Sequence, residues 1–122
     1  MRHAMSDASC ELLGDFFATF AHTTRMRILC ALQQGPRAVT EIAVHAGIAI
    51  PNASQHLRMM RERGAVIAEK QAQNVYYRIA DPRILEAMQL IRQALSERLR
   101  ENAELASVRG ARRVARRVLQ PA

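Results

Sequence analysis

The chain is 122 residues long, enough for one domain core and too short for two. Its 49% apolar and 24% charged residues are those of a folded globular protein, and no apolar run nears the ~18 residues that a membrane span requires. Eighteen Lys and Arg against eleven Asp and Glu give a net charge of +7, which suits a polyanionic partner because neutralised phosphates release their counterions.

Residues 10–20 place Leu12, Leu13, Phe16, Phe17 and Phe20 at helical spacing, with Ser9 available as the cap. A helix this apolar needs cover, in part from a second subunit. The segment AHTT breaks it, and Thr23 or Thr24 is placed to cap the next helix. That second helix, residues 25–34, turns Met26, Ile28, Leu29 and Leu32 inward and is stopped by Gly35-Pro36. A third helix opens at Val39 or Thr40, carries Ile42, Ala43 and Ala46, and closes at Gly47, where a tight interhelical turn needs positive φ.

Pro51 suits the first turn of a fourth helix that runs to about residue 63 and ends at Gly64. Strands over residues 65–69 and 75–79, joined by a polar connection, form a two-stranded hairpin. Asp81-Pro82 then starts a long helix in which Ile84, Met88, Ile91, Leu95 and Leu99 recur at steps of three and four, a seam suited to a partner helix. The tail, residues 108–122, holds Arg109, Arg112, Arg113, Arg116 and Arg117 and no acid, so the rest of the chain carries only +2 of the +7. It reads either as a solvated basic end or as a nucleic-acid contact. The expected organisation is a DNA-binding and dimerisation domain over residues 1–107 followed by that tail.

Helix, tight turn, helix, hairpin is the order of a winged helix-turn-helix, so the fold class is mainly α with a small β-hairpin wing and about five helices, expected as a dimer. At 100° per residue, Ala53, Leu57 and Met60 of the fourth helix fall on a core side. Asn52, Ser54, Gln55, Arg58 and Glu62 spread over the other. Asn and Gln amides pair bidentately with adenine, Ser bonds base or phosphate, and Arg takes guanine or phosphate. No acid precedes Glu62 on this helix. Asn52, Ser54, Gln55 and Arg58 are therefore the expected DNA-reading residues, with Thr40 on the preceding helix. Lys70, Gln73 and Arg78 on the hairpin are expected to touch phosphate. His56 lies between core and surface and reads as a packed or backbone-bonded residue, as do His22 and His45.

The runs FAHTTRMRILCAL, TEIAVHAG, SQHLRMMRERGAV and VYYRI resemble the ArsR/SmtB family of bacterial winged-helix repressors over most of the chain, about residues 12–95. The resemblance implies a homodimer with the first and last helices at its interface. It also implies repression at a palindromic operator, released by a metal or by thiol chemistry. Metal-sensing members carry a thiolate pair after the Glu of the third helix; here that stretch reads Glu41-Ile42-Ala43-Val44-His45. Others place ligands along the last helix, where residues 81–104 hold no histidine. No metal and no cofactor is expected.

Thiol-responsive members resemble this chain at Cys30, in RILCAL, but pair that residue with a cysteine on the last helix, which is missing here. The other thiol is Cys10. If the first two helices fold back on each other, the two cysteines are offset by roughly 6 Å along the axis, marginal for a bridge that needs Cα atoms within about 7 Å. A polysulfide link or an approach across a dimer is less restricted, and Cys30 as a small core residue is the alternative. Two cysteines without CxxC or zinc-finger spacing exclude a disulfide scaffold and a structural zinc site. Nothing resembles a nucleophile–base pair or a phosphate-cradling loop, so no enzyme is expected. The N-terminus lacks a secretory apolar core, which makes the cytoplasm the expected location. Two alternatives stay open: a metal-responsive repressor with an unusual site, and a winged-helix module that binds protein instead of DNA.

Overall fold

A computed structural model describes residues 5–106 and 116–119. Eight elements follow in order: α1 (Asp7–Thr19), α2 (Thr23–Ala31), β1 (Arg37–Ala38), α3 (Val39–Ala46), α4 (Ile50–Glu62), β2 (Val66–Gln71), β3 (Asn74–Ile79) and α5 (Pro82–Ala106). The chain divides into a first unit, residues 1–85, which holds the winged fold, and a second, residues 86–122, which holds most of α5. Of the basic tail only residues 116–119 are described, with Arg116 and Arg117 exposed; its other arginines lie outside the described residues.

The most fully enclosed large apolar side chains of the first unit come from four elements. Ile28 and Leu29 of α2, Ile42 of α3, Leu57 and Met60 of α4, and Val66 of β2 are all fully enclosed. Burying each such side chain is worth about 1.5–3 kcal/mol. In α4 the enclosed residues stand three or four apart, and in α3 Ile42 and Ala43 are followed by Ala46 one turn on, so each helix presents one stripe to this core.

Two helix starts differ from expectation. Ser6, not Ser9, caps α1: its Oγ accepts the Ser9 N–H at 3.2 Å. Asp7, Ala8 and Ser9 are all tolerated in a first turn, and Asp7 complements the helix dipole there. His22, not Thr23 or Thr24, caps α2, its Nδ1 accepting the Thr24 N–H at 3.3 Å. The imidazole supplies the acceptor that a threonine hydroxyl would, and satisfies one of the orphan donors of the first turn.

The wing is a three-stranded antiparallel sheet in the order β1-β3-β2, not a two-stranded hairpin. The added strand is two residues long: Arg37 pairs with Tyr77 and Ala38 with Tyr76. β3 is therefore central, and both Tyr76 and Tyr77 are half-buried. The β2–β3 register runs from Val66↔Ile79 to Gln71↔Asn74, so Ala72 and Gln73 alone make the turn. Ala72 takes a left-handed φ of 56° there.

α1 buries only Thr19 along its length, while Leu12, Leu13 and Phe17 are exposed. On α5, Leu90, Ile91 and Leu95 are exposed as well. Among the described residues no helix is long and apolar enough to cross a membrane.

Candidate nucleic-acid interface

The interface is built on α3 and α4. α3 starts after Ala38, whose N–H donates to Glu41 Oε1 at 3.1 Å, and ends at Gly47, which adopts φ 70° and ψ 36°. From there the Ile48 N–H reaches back to the Ala43 carbonyl at 3.0 Å and closes the turn. Two residues later α4 begins, with Pro51 in its first turn, where a missing N–H costs nothing. Ala53, Leu57 and Met60 are each fully enclosed. Seated by this stripe, α4 shows Asn52, Ser54, Gln55, Arg58, Arg61 and Glu62 to solvent. Its first turn carries no acid. Four of the sequence-predicted residues, Asn52, Ser54, Gln55 and Arg58, thus share one exposed surface, and Thr40 is exposed on α3.

The wing residues are placed differently. Lys70 and Gln73 are exposed, near and at the hairpin turn. Arg78 is half-buried and engaged: its Nε donates to Glu69 Oε1 at 2.9 Å and its Nη1 to the Ile79 carbonyl at 3.2 Å. Such a pair in water is worth at most about 1 kcal/mol, so it restrains the arginine without locking it.

A polar network that sequence reasoning missed holds α4 from behind. Arg25 of α2 donates from Nε to His56 Nδ1 at 3.3 Å and from Nη1 to the Thr19 carbonyl at 3.3 Å. Arg63, the C-cap of α4, donates from Nη1 to Thr19 Oγ1 at 3.4 Å. Thr19 Oγ1 in turn donates to the Asp15 carbonyl at 3.2 Å, so the fully buried Thr19 joins α1, α2 and the end of α4. The His22 and His56 rings lie 5.4 Å apart. Burial, the Arg25 guanidinium and His22 together hold the His56 pKa below the ordinary histidine value. His56 is thus favoured neutral, accepting through Nδ1 and leaving its proton on Nε2. The only sequence signal was polar residues bordering apolar helices, which identifies no partner.

Cys10 is exposed on α1 and Cys30 is half-buried on α2. Among the described residues no group of three His, Cys, Asp or Glu could hold a metal ion.

A helix-turn-helix whose second helix displays amides, hydroxyls and arginine, flanked by a sheet wing, defines a DNA-binding regulator. A family model described as bacterial regulatory protein, arsR family, matches residues 22–68. The biofilm growth-associated repressor of Agrobacterium fabrum is 36% identical over 84 residues, which span 66% of this chain and 72% of that protein. The crystal structure of Mycobacterium tuberculosis Rv0081 superposes with a TM-score of 0.73 at 33% identity, covering 80% of this chain and 99% of that one. The homodimeric winged helix-turn-helix domain of Mb0332 from Mycobacterium bovis superposes with a TM-score of 0.72 at 29% identity, covering 82% and 95%. The chain belongs to the arsR family of bacterial regulatory proteins. It is a DNA-binding transcriptional regulator of the repressor kind and not an enzyme.

Proposed function

We propose that the chain works in the cytoplasm as a homodimer that represses transcription at a palindromic operator, each protomer laying α4 in the major groove of one half-site. The observation that carries this is the exposed set Asn52, Ser54, Gln55 and Arg58 over the enclosed Ala53, Leu57 and Met60. Asn52, Ser54 and Gln55 read base edges, and Arg58 takes guanine or phosphate. Thr40 bonds the backbone from α3, and Lys70, Gln73 and Arg78 follow it along the wing, Arg78 after parting from Glu69. The exposed apolar residues of α1 and of α5 support the dimer, since each set is surface that a second copy would cover. The homodimeric Mb0332 domain supports it too. The domain spans residues 1–107, and the tail, residues 108–122, adds phosphate contacts.

Release by oxidation or persulfidation of Cys10 and Cys30 is the proposed switch. It is supported by the exposure of Cys10 and the partial exposure of Cys30.

Binding to the protein's own upstream DNA tests the reading. Preference over random duplex, weakened about 5- to 150-fold by Gln55→Ala, is the expected result. Equal affinity for both duplexes would overturn it. For the switch, operator affinity of the Cys10→Ser/Cys30→Ser variant is compared with wild type after polysulfide or peroxide treatment. Equal losses in the two proteins would exclude the thiols.

A further inference from the structure

We propose that Ile50 contacts the 5-methyl group of a thymine in each half-site, so that this repressor reads a methyl as well as hydrogen-bonding edges. The proposal rests on the operator reading above and adds the chemistry of one base to it. Ile50 is the first residue of α4 and is 47% exposed, although it is among the most apolar side chains of the helix. Its surroundings repeat the pattern. Ala49 caps the helix with no side-chain hydrogen bond, and Ala49 and Pro51 are exposed beside it. Three successive exposed residues at the leading end of the reading helix therefore offer no side-chain donor or acceptor.

That leading end is the part of such a helix that meets base edges. Ile50 and Ser54 are four residues apart, within about 40° of each other around the helix, so the apolar group stands at the edge of the polar face, where that face meets the core stripe of Leu57. The major groove presents many donors and acceptors but one apolar feature, the thymine methyl. An isoleucine pressed against a cytosine amine or a purine acceptor would strip water from it and give no bond back. Against thymine it buries two apolar surfaces and leaves no polar atom unpaired. The surrounding lack of acid and of competing donors makes thymine the base that this end accepts at least cost.

The test starts from the full-length protein and a pool of random duplexes, from which bound sequences are selected. Each dT of the enriched sequence is then replaced by dU, which removes only the methyl. Wild-type protein should lose roughly 4-fold in affinity at one dT per half-site, the effect of one buried methyl. Ile50→Ala should bind the dT and dU duplexes equally. A second arm needs no variant: with dC at that position, 5-methyl-dC should bind the wild type more tightly than dC. An enriched sequence whose dU scan is flat, or whose dU penalty survives in Ile50→Ala, overturns the assignment and leaves the operator reading standing. An Ile50→Ala protein that no longer dimerises assigns Ile50 to a protein contact and overturns it as well. If no sequence is enriched, the operator reading fails and takes this assignment with it.

Discussion

Gly47 decides how α4 leaves α3, and its replacement by alanine tests whether that turn works as described. Gly47 sits at φ 70° and ψ 36°, in the left-handed region. A Cβ built there meets nothing within 4 Å. Crowding by neighbours therefore contributes nothing, and the cost of Gly47→Ala is that of the backbone conformation alone, about 1–2 kcal/mol. The stiffer unfolded chain offsets about 0.4–1 kcal/mol of this. A net loss of about 0.5–1 kcal/mol remains, a factor of roughly two to five in the folding constant. In equilibrium urea unfolding the midpoint should fall by about 0.2–1 M at an unchanged slope. Protein concentration must be held constant, because a dimer's midpoint depends on it. Gly47→Asn should fall between wild type and Gly47→Ala, since asparagine visits the left-handed region more readily. An alanine variant as stable as wild type, or an asparagine variant weaker than the alanine one, would refute the argument.

Leu57→Ala opens the centre of the α4 stripe, where the side chain is fully enclosed, and should cost about 2–5 kcal/mol in urea unfolding; a loss below about 1 kcal/mol would contradict that enclosure. His56 binds its proton less readily folded than unfolded, so its contribution to stability is full above about pH 6.5 and is lost as pH falls through the lower folded-state value. Between pH 8 and pH 5, wild-type urea midpoints should therefore drop further than those of His56→Gln, and parallel curves would show that the Arg25–His56 contact does not matter. Asp81 accepts the Arg83 N–H at 2.9 Å and the Arg83 guanidinium at 2.7 Å, and Arg83 draws its pKa down from 3.8 to about 2. Its contribution at the start of α5 is present above pH 3.8 and disappears as pH falls towards 2, so Asp81→Asn should flatten the acid limb of a circular-dichroism titration between those values; an unchanged limb would refute it.

Much of the winged unit was legible in the chain. Ala53, Leu57 and Met60 recur at the helical period, and that period alone places Asn52, Ser54, Gln55 and Arg58 on the opposite side. Gly47, Pro51 and Gly64 mark the ends of α3 and α4 because few other residues suit those backbone positions. These are local properties, set by neighbours within a turn or two.

Contacts between residues distant in sequence were decided only in the tertiary structure. β1 is two residues long, too short for any periodic signal, and exists because β3, some forty residues on, offers it an edge. Arg78 reads in the chain as a cation for DNA, and only the sheet shows that a neighbouring strand sets Glu69 beside it. Arg25 and His56 are separated by 31 residues and meet only because α2 packs behind the reading helix. On α1, helical spacing found the apolar residues Leu12, Leu13 and Phe17, but whether an apolar face is covered depends on what is packed against it. Periodicity reports which way a side chain points along its own helix, whereas burial, pairing and charge are set by whichever distant segment arrives beside it.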